Sequence, residues 1–320
     1  MLALVEITPW HWVGFIVCVL VFLALDLGVF HRKAHVVSFK EALGWTLVWF
    51  LLAVIFAVGM GHFRGRHDAF SFFTGYFIEL SLSMDNVFVI ALIFGFFRVP
   101  AEFQHRVLFW GILGALVMRG VMIWAGVELI TRFDWVLYLF GAFLVFTGIK
   151  MLFSKDEGVH PDQSLVVRIA KKFLPITSEF DDQNFVTHVN GRKMLTLLFL
   201  VLLVVESTDL IFAVDSIPAI FGVTRDPFIV FTSNVFAILG LRSMYFVLAG
   251  AIDLFHYLKV GLSVVLVFIG IKMLIDPHGE PPRWFQFDIP DITSLLIVVT
   301  IITASILISL VAARRAKQRT

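Results

Sequence analysis

The sequence predicts an all-α polytopic membrane protein, a bundle of about nine transmembrane helices that contains two inverted three-helix repeats. Hydrophobic residues make up 59% of the 320 residues, 15% are charged, and the mean hydropathy is +0.94. A soluble protein of this size carries about a quarter charged residues. A nine-residue phrase also occurs twice, as LVFTGIKML at 144–152 and LVFIGIKML at 266–274. We therefore expect residues 1–320 to form a single membrane domain with internal duplication.

Nine stretches are long enough to span a bilayer, since a transmembrane helix needs about 20 apolar residues. No basic segment precedes the first stretch, so we expect it to remain as a helix rather than to be cleaved. The third and sixth stretches exceed the length that a bilayer requires and hold several polar residues, so we expect broken or tilted helices there. The nine predicted spans are 10–30, 41–61, 70–97, 107–131, 134–153, 194–221, 228–250, 257–275 and 291–313.

The distribution of lysine and arginine predicts the orientation in the membrane. With the N-terminus outside, the inner segments hold 16 of these residues and the outer segments hold 5. Cytoplasmic loops carry such an excess, so we expect an outside N-terminus and a cytoplasmic C-terminus. The long polar loop 154–193 is then cytoplasmic, and its centre, around 164–174, is expected to form a short amphipathic segment.

The repeated phrase aligns the two halves of the chain. Repeat one covers about 70–153 and repeat two about 194–275, with a lysine, an arginine and an aspartate at matching places in each. Each repeat holds three spans, an odd number, so the second copy is expected to be inverted relative to the first. Inverted repeats place a binding site near the midplane, where the copies meet. The spans 10–30, 41–61 and 291–313 would be peripheral.

Polar side chains recur at helical spacing on the third and sixth spans. Positions i, i+4 and i+7 of a helix share one face, which predicts a polar stripe on each of these helices. The stripes consist of Glu79, Ser83 and Asn86 on the third span, and of Asp209 and Ser216 on the sixth. Asp85 and Asp215 lie at the edges of the stripes. Pro218 removes a backbone donor and is expected to open the sixth helix beside Asp215.

The acids on these spans need compensation. An acid at the bilayer centre costs about 2.5–3.5 kcal/mol, so the five acids must be paired, protonated, hydrated or metal-bound. They are Glu79, Asp85, Glu206, Asp209 and Asp215. Arg119 and Arg242 are expected salt-bridge partners, Lys150 and Lys272 are expected to extend to the headgroups, and Asp26 is either a ligand or a salt-bridge partner. With Asp26 there are six acids against four bases, a deficit that one divalent cation would balance.

The candidate ligands are all oxygen donors. Hard donors suit Mg²⁺, Ca²⁺ or Mn²⁺, whereas zinc and copper sites recruit imidazole or thiolate. The histidines lie in loops or at helix ends, and the single cysteine, Cys18, cannot form an internal disulfide. The predicted metal ligands are Asp85, Asp215, Glu79, Asn86, Glu206 and Asp209, with Ser83 and Ser216 in secondary roles.

The same residues argue against several other functions. No P-loop pattern is present, which argues against ATP-driven pumping. We expect no enzymatic activity, no tightly bound cofactor and no nucleic-acid or nucleotide partner. The expected partners are the lipid bilayer and a divalent cation, moved by secondary transport that is coupled to a gradient, most plausibly of protons.

Several motifs resemble those of the TerC family. They are MDNVFV (84–89), FAVDSIPAIF (212–221), DPFIVFTSNVFAILGLRSMYF (226–246) and the two GIKML endings. The resemblance covers about residues 10–313 and implies a multi-pass protein of the bacterial inner membrane within the LysE transporter superfamily. It implies manganese export, as for some members, and it places the family's acidic motif at the predicted ligands named above. The preference for Mn²⁺ rests on this resemblance.

Two other functions remain open from the sequence. The first is a membrane redox or stress-response factor without transport activity. The second is a scaffold in a tellurite-resistance complex, since the family takes its name from an association with tellurite resistance.

Overall fold

The computed structural model describes residues 6–25, 38–153, 165–189, 191–248, 258–276, 286 and 289–317. Within these parts the chain forms ten α-helices and one short β-hairpin. The helices are α1 (Pro9–Leu25), α2 (Phe39–Phe63), α3 (Arg66–Phe97), α4 (Ala101–Arg132), α5 (Trp135–Phe153), α6 (Leu165–Phe173), α7 (Leu197–Phe221), α8 (Pro227–Leu248), α9 (Leu258–Ile275) and α10 (Asp291–Lys317). The strands are β1 (Val186–Val189) and β2 (Arg192–Leu195).

Eight of these helices are long and apolar enough to cross a membrane, where we expected nine. The difference lies in α1, which has 17 residues and reaches about 26 Å at 1.5 Å per residue, short of a full span. Residues 26–30 of the expected first span lie outside the described residues. The protein is therefore an all-helical polytopic membrane protein with eight candidate spans and a shorter apolar helix at its N-terminus.

The two helices that we expected to be broken or tilted are both continuous, so neither is broken. Helix α3 runs unbroken through its polar stripe, and α7 continues through Pro218 to Phe221. Pro218 lies in the last turn, where it removes only the bond to the Val214 carbonyl. The amide of Gly222 then bonds the Pro218 carbonyl at 3.2 Å and ends the helix. The expectation that Pro218 opens the helix beside Asp215 was wrong.

The eighth helix forms the centre of the bundle. In its apolar 18-residue stretch, 89% of the helix is buried, and α8 packs against α2, α3 and α4. Thr232, Ser233 and Asn234 are fully buried on it, as expected when polar residues of a span face protein rather than lipid. Helix α3 in turn contacts α7 and α8, and α4 contacts α7. These four helices therefore surround one common interior.

Helices α5 and α9 approach each other closely. A methyl group added at Gly141 would lie 3.0 Å from the Gly270 carbonyl oxygen, and one added at Gly148 would lie 2.8 Å from the Ser263 carbonyl oxygen. Small residues let backbones pack in this way inside membranes. The two helices that carry the repeated phrase are thus in backbone contact.

The long polar loop holds more structure than we expected. Helix α6 forms where the amphipathic segment was predicted, with Val167 and Ala170 buried. The hairpin was not predicted, although Asn-Gly between two strand-like segments is a strong hairpin signal. The Val189↔Arg192 pair closes the ladder, and Gly191 has a φ of +77°. Because β2 extends to Leu195, α7 begins at Leu197 rather than at residue 194.

Candidate functional site

The guanidinium of Arg119 lies at the centre of the acid cluster. Arg119 is 2% exposed on α4, and its Nη1 donates to Glu79 Oε1 of α3. The same nitrogen donates to Asn234 Oδ1 of α8 at 2.9 Å and lies 3.4 Å from Ser216 Oγ of α7. Three helices thus supply oxygen atoms to a cation that a fourth helix carries.

Asp209 binds the other edge of the same guanidinium. Nη2 lies 3.0 Å from Asp209 Oδ1, and Nε lies 3.3 Å from Oδ2. Asn86 Nδ2 also donates to Asp209 Oδ1 at 3.2 Å. Bidentate pairing of arginine with carboxylate is both strong and directional. With Glu79 and Asp209 both ionised, the pairing leaves one negative charge beside Arg119.

Two predicted ligands on α3 present buried oxygens that bond nothing in the described chain. They are Glu79 Oε2 and Asn86 Oδ1. The other oxygen of Glu79 faces Arg119 and accepts from Ser83 Oγ at 3.4 Å. The amide nitrogen of Asn86 faces Asp209, which turns its oxygen to the opposite side. A buried acceptor without a donor costs about 1–3 kcal/mol, so these oxygens favour a cationic or donating ligand.

Glu79 and Asn86 border a small cavity of about 40 Å³. Its polar wall consists of Glu79, Asp85, Asn86, Arg119, Asp215 and Ser216. A water molecule needs only about 10–15 Å³, so the cavity has room for about three groups of that size. The structure therefore brings Asp85 and Asp215, the matching aspartates of the two halves, to one cavity.

Asp215 has partners on α5. The Thr147 hydroxyl lies beside its carboxylate, and the Lys150 ammonium interacts with it electrostatically. Lys150 is exposed, so it can reach the headgroups, and its charge also attracts the Asp215 carboxylate. Thr147 occupies the one position at which the two copies of the repeated phrase differ, where the second copy has Ile269. The difference between the copies therefore lies at a contact to the acid cluster.

Glu206 lies apart from this cavity. It borders a second cavity of about 20 Å³, which it shares with Asp209 and Arg119 among aliphatic side chains. Its Oε2 is buried and accepts no hydrogen bond within the described residues. Gly114 on α4 leaves the space for the carboxylate, since a methyl group there would overlap it. Arg119 borders both cavities and separates the predicted ligands into two groups.

The remaining predicted charge partners lie elsewhere. Arg242 Nη1 is 3.3 Å from His105 Nε2. Lys272 is 2% exposed, and its Nζ lies 3.8 Å from Asp291 Oδ1 at the start of α10. Its burial against α10 excludes the expected extension to the headgroups. Asp26 lies outside the described residues.

Across the described ranges, no three carboxylate, imidazole or thiol side chains converge into a metal-ligand group. Arg119 engages one oxygen of Glu79 and both oxygens of Asp209, which keeps these acids on the guanidinium. The ligand roles of the six residues therefore stay predictions, and the observed geometry is an oxygen-lined cavity beside a buried arginine.

Three residues of this site were not predicted from the sequence. Asn234 ends the polar run Thr232-Ser233-Asn234 inside an otherwise apolar span, which is a signal for a buried polar contact. Thr147 is marked by the single mismatch in the repeated phrase. Gly114 carries no sequence signal of its own, because its role depends on how α4 packs against Glu206 of α7.

Fold and site together define a polytopic helical membrane protein with a buried cluster of charges between its helices. Residues 64–317 match the family model described as integral membrane protein TerC family. The chain belongs to the TerC family.

Named relatives match nearly the full chain. An "Uncharacterized membrane protein STKORF319" of Myxococcus xanthus is 53% identical over 310 residues, 97% of this chain and 94% of its own length. The "Putative membrane-bound redox modulator Alx" of Escherichia coli K12 is 52% identical over 278 residues, 84% of this chain and 86% of its own length. The Salmonella typhi protein of the same name is 47% identical over 311 residues, 94% of each chain. No solved structure matches this chain.

Proposed function

We propose that the protein is a secondary transporter that exports a hard divalent cation, Mn²⁺, from the cytoplasm by alternating access coupled to protons. The observation that carries the proposal is the cavity of about 40 Å³, which is lined by oxygen-bearing side chains of α3 and α7. Two of these side chains, Glu79 and Asn86, each have a buried oxygen that accepts no hydrogen bond in the described chain. An oxygen-lined site of this size suits one hard cation.

Asp85 and Asp215 are the primary ligands in this proposal. Both border the cavity, and they approach it from α3 and α7. Glu79 Oε2 and Asn86 Oδ1 complete an oxygen shell, and Ser216 adds a hydroxyl. Asp209 and Glu206, on the other side of Arg119, are further ligands or proton carriers. Acids within spans mark ion pathways, and the position of these acids is consistent with one.

The packing of α5 on α9 supports an inverted repeat. The two copies of the phrase are offset by 122 residues, from 144 to 266, which pairs Gly141 with Ser263 and Gly148 with Gly270. The observed contacts are Gly141 with Gly270 and Gly148 with Ser263. Exchanging the halves converts one contact into the other, as a twofold axis would. Rocking of one three-helix unit against the other about such an axis would alternate access to the cavity.

The choice of Mn²⁺ over Mg²⁺ and Ca²⁺ rests on the family. The cavity offers hard oxygen donors, which suit all three ions, so its ligand chemistry does not discriminate among them. Manganese export by some TerC members is what makes Mn²⁺ the proposed substrate.

Metal efflux from loaded cells tests the proposal. We expect wild type to lower cellular Mn²⁺ in a deletion strain, and Asp85→Asn and Asp215→Asn to abolish this at equal expression. Asp134→Asn is the matched control, because Asp134 is exposed between α4 and α5. Parallel measurements with Mg²⁺, Ca²⁺, Fe²⁺ and Zn²⁺ identify the preferred ion. Unchanged efflux in both cavity variants would refute the transport site.

The alternative function is that of a redox or stress-response factor. The Alx relatives are named as membrane-bound redox modulators, which favours this alternative. Against it, the chain has one cysteine, Cys18, which is exposed on α1 and cannot cycle between dithiol and disulfide. A visible cofactor spectrum in the purified protein, together with absent metal efflux, would favour this alternative.

A further inference from the structure

We infer that Arg119 is a built-in competitor of the transported cation and that Glu206 is the second binding position of its guanidinium. The inference rests on the proposed function, since it concerns the same cavity. In this inference Arg119 and Glu206 together form a switch. The predicted ligand set alone would treat Arg119 as a structural partner and Glu206 as a ligand.

The location of the guanidinium is the first reason. Arg119 borders the cavity of Asp85 and Asp215 on one side and the cavity of Glu206 on the other. Its Nη1 holds Glu79 Oε1, and Glu79 borders the first cavity. A divalent cation in that cavity would lie within a few ångströms of the positive charge of the Arg119 guanidinium. The low-dielectric surroundings would screen the two charges only weakly. The two cations repel, so binding of one disfavours the other.

The geometry of Asp209 gives the arginine a pivot. Asp209 binds the Nε and Nη2 edge of the guanidinium, whereas Glu79 and Asn234 bind through Nη1. Rotation about the Asp209 edge breaks the Nη1 contacts and keeps the bidentate pair. The charge of Arg119 thus stays neutralised while Glu79 is released to the cavity.

Glu206 offers the position to which Nη1 can turn. Its Oε2 is buried, has no hydrogen-bond partner in the described chain, and belongs to the cavity that Arg119 also borders. A carboxylate among aliphatic side chains is costly unless it is neutralised. Gly114 keeps the space that this carboxylate occupies. Arg119 on Glu79 and Arg119 on Glu206 are therefore the two arrangements that the site supports.

Movement of Arg119 between Glu79 and Glu206 would help the empty protein to return across the membrane. With the cation bound, Arg119 compensates Glu206, and after release it returns to Glu79. In both arrangements, therefore, part of the negative charge of the acids is compensated within the low-dielectric interior. The helices can then return across the membrane without the substrate.

Binding of MnCl₂ to the purified full-length protein in nanodiscs tests the inference, with titration calorimetry as the readout. Arg119→Gln removes the competitor, so we expect at least about tenfold tighter binding if the arginine holds Glu79 for about nine-tenths of the time. Glu206→Gln leaves the pair of Arg119 with Glu79 but removes the second position, so we expect about tenfold weaker binding. Gly114→Ala displaces the Glu206 carboxylate and should also weaken binding. Gly120→Ala on the same helix is the control, because its methyl group would meet only Phe231 at 3.4 Å.

The double variant separates this role from direct ligation. In the Arg119→Gln background, Glu206→Gln should no longer change the affinity, because its effect is transmitted through the arginine. Persistent weakening in the double variant would make Glu206 a ligand and overturn the inference, as would weaker binding in folded Arg119→Gln. Should Arg119→Gln not fold, equal binding by wild type, Glu206→Gln and Gly114→Ala would overturn it instead. Absence of Mn²⁺ binding and efflux in wild type would refute the transport proposal itself.

Discussion

Gly270 of α9 packs directly on the backbone of Gly141 in α5. A methyl group at position 270 would lie 2.7 Å from the Gly141 carbonyl oxygen and 2.8 Å from the Val145 amide nitrogen. Neither atom can move away without shifting α5 as a whole. The pair therefore sets the distance between the two helices that carry the repeated phrase.

Gly270→Ala should destabilise the folded protein by about 1–3 kcal/mol, the usual effect of overpacking a tight contact. Thermal unfolding in detergent measures the change. Gly95→Ala on α3 is the control, since its methyl group would meet nothing within 4 Å. Equal melting temperatures for the two variants would show that α5 and α9 do not depend on this contact.

Asp209→Asn should cost the fold about 1.5–3 kcal/mol, because the buried guanidinium loses its bidentate carboxylate and faces amide hydrogens instead, while Glu79 still compensates its charge. Chemical or thermal denaturation of the purified protein measures this loss. Glu128→Gln breaks an ion pair with Arg132 whose side chains are 47% and 69% exposed, and it should cost under about 1 kcal/mol. A small effect of Asp209→Asn would indicate that Arg119 takes another partner at once.

Under the proposed function, Thr147→Val should raise the Mn²⁺ concentration that half-maximal transport requires, because it removes the hydroxyl beside Asp215 at nearly constant volume. One hydrogen bond contributes about 1 kcal/mol, which corresponds to roughly fivefold in affinity. The Mn²⁺ concentration for half-maximal transport in everted vesicles is the readout, and Thr147→Ser should behave as wild type. If valine and serine variants agree, Thr147 does not position Asp215.

Helical periodicity predicted the composition of each polar face. Glu79, Ser83 and Asn86 share a stripe as expected, since spacing alone decides which residues of a helix face one way. Asp85 and Asp215 also border one cavity, as the alignment of the two halves predicted. These features were predictable because they depend on local helical geometry and on the sequence match between the two halves.

Features that depend on how helices rotate against one another could not be predicted in this way. Glu206 and Asp209 border a different cavity from Asp215 of the same helix, because Arg119 of α4 enters between them and the first cavity. Asn234 meets Arg119 only through the packing of α8 on α4. The hairpin at Val186–Leu195 was within reach of sequence reasoning, because Asn190-Gly191 signals a turn.

The orientation of the chain can be tested through its single cysteine. In a Cys18→Ala background, Asp134→Cys and Arg192→Cys place one thiol each at exposed positions on either side of α5. The lysine and arginine bias predicts that residue 134 is outside and residue 192 is cytoplasmic. A membrane-impermeant maleimide should label position 134 in intact spheroplasts and position 192 only after permeabilisation. Because three spans, α3, α4 and α5, separate the start of α3 from the start of α7, this result would also require the two three-helix units to enter the membrane from opposite faces. Labelling of both positions from one side would mean that α5 does not cross, and the inverted relation between the halves would be lost with it.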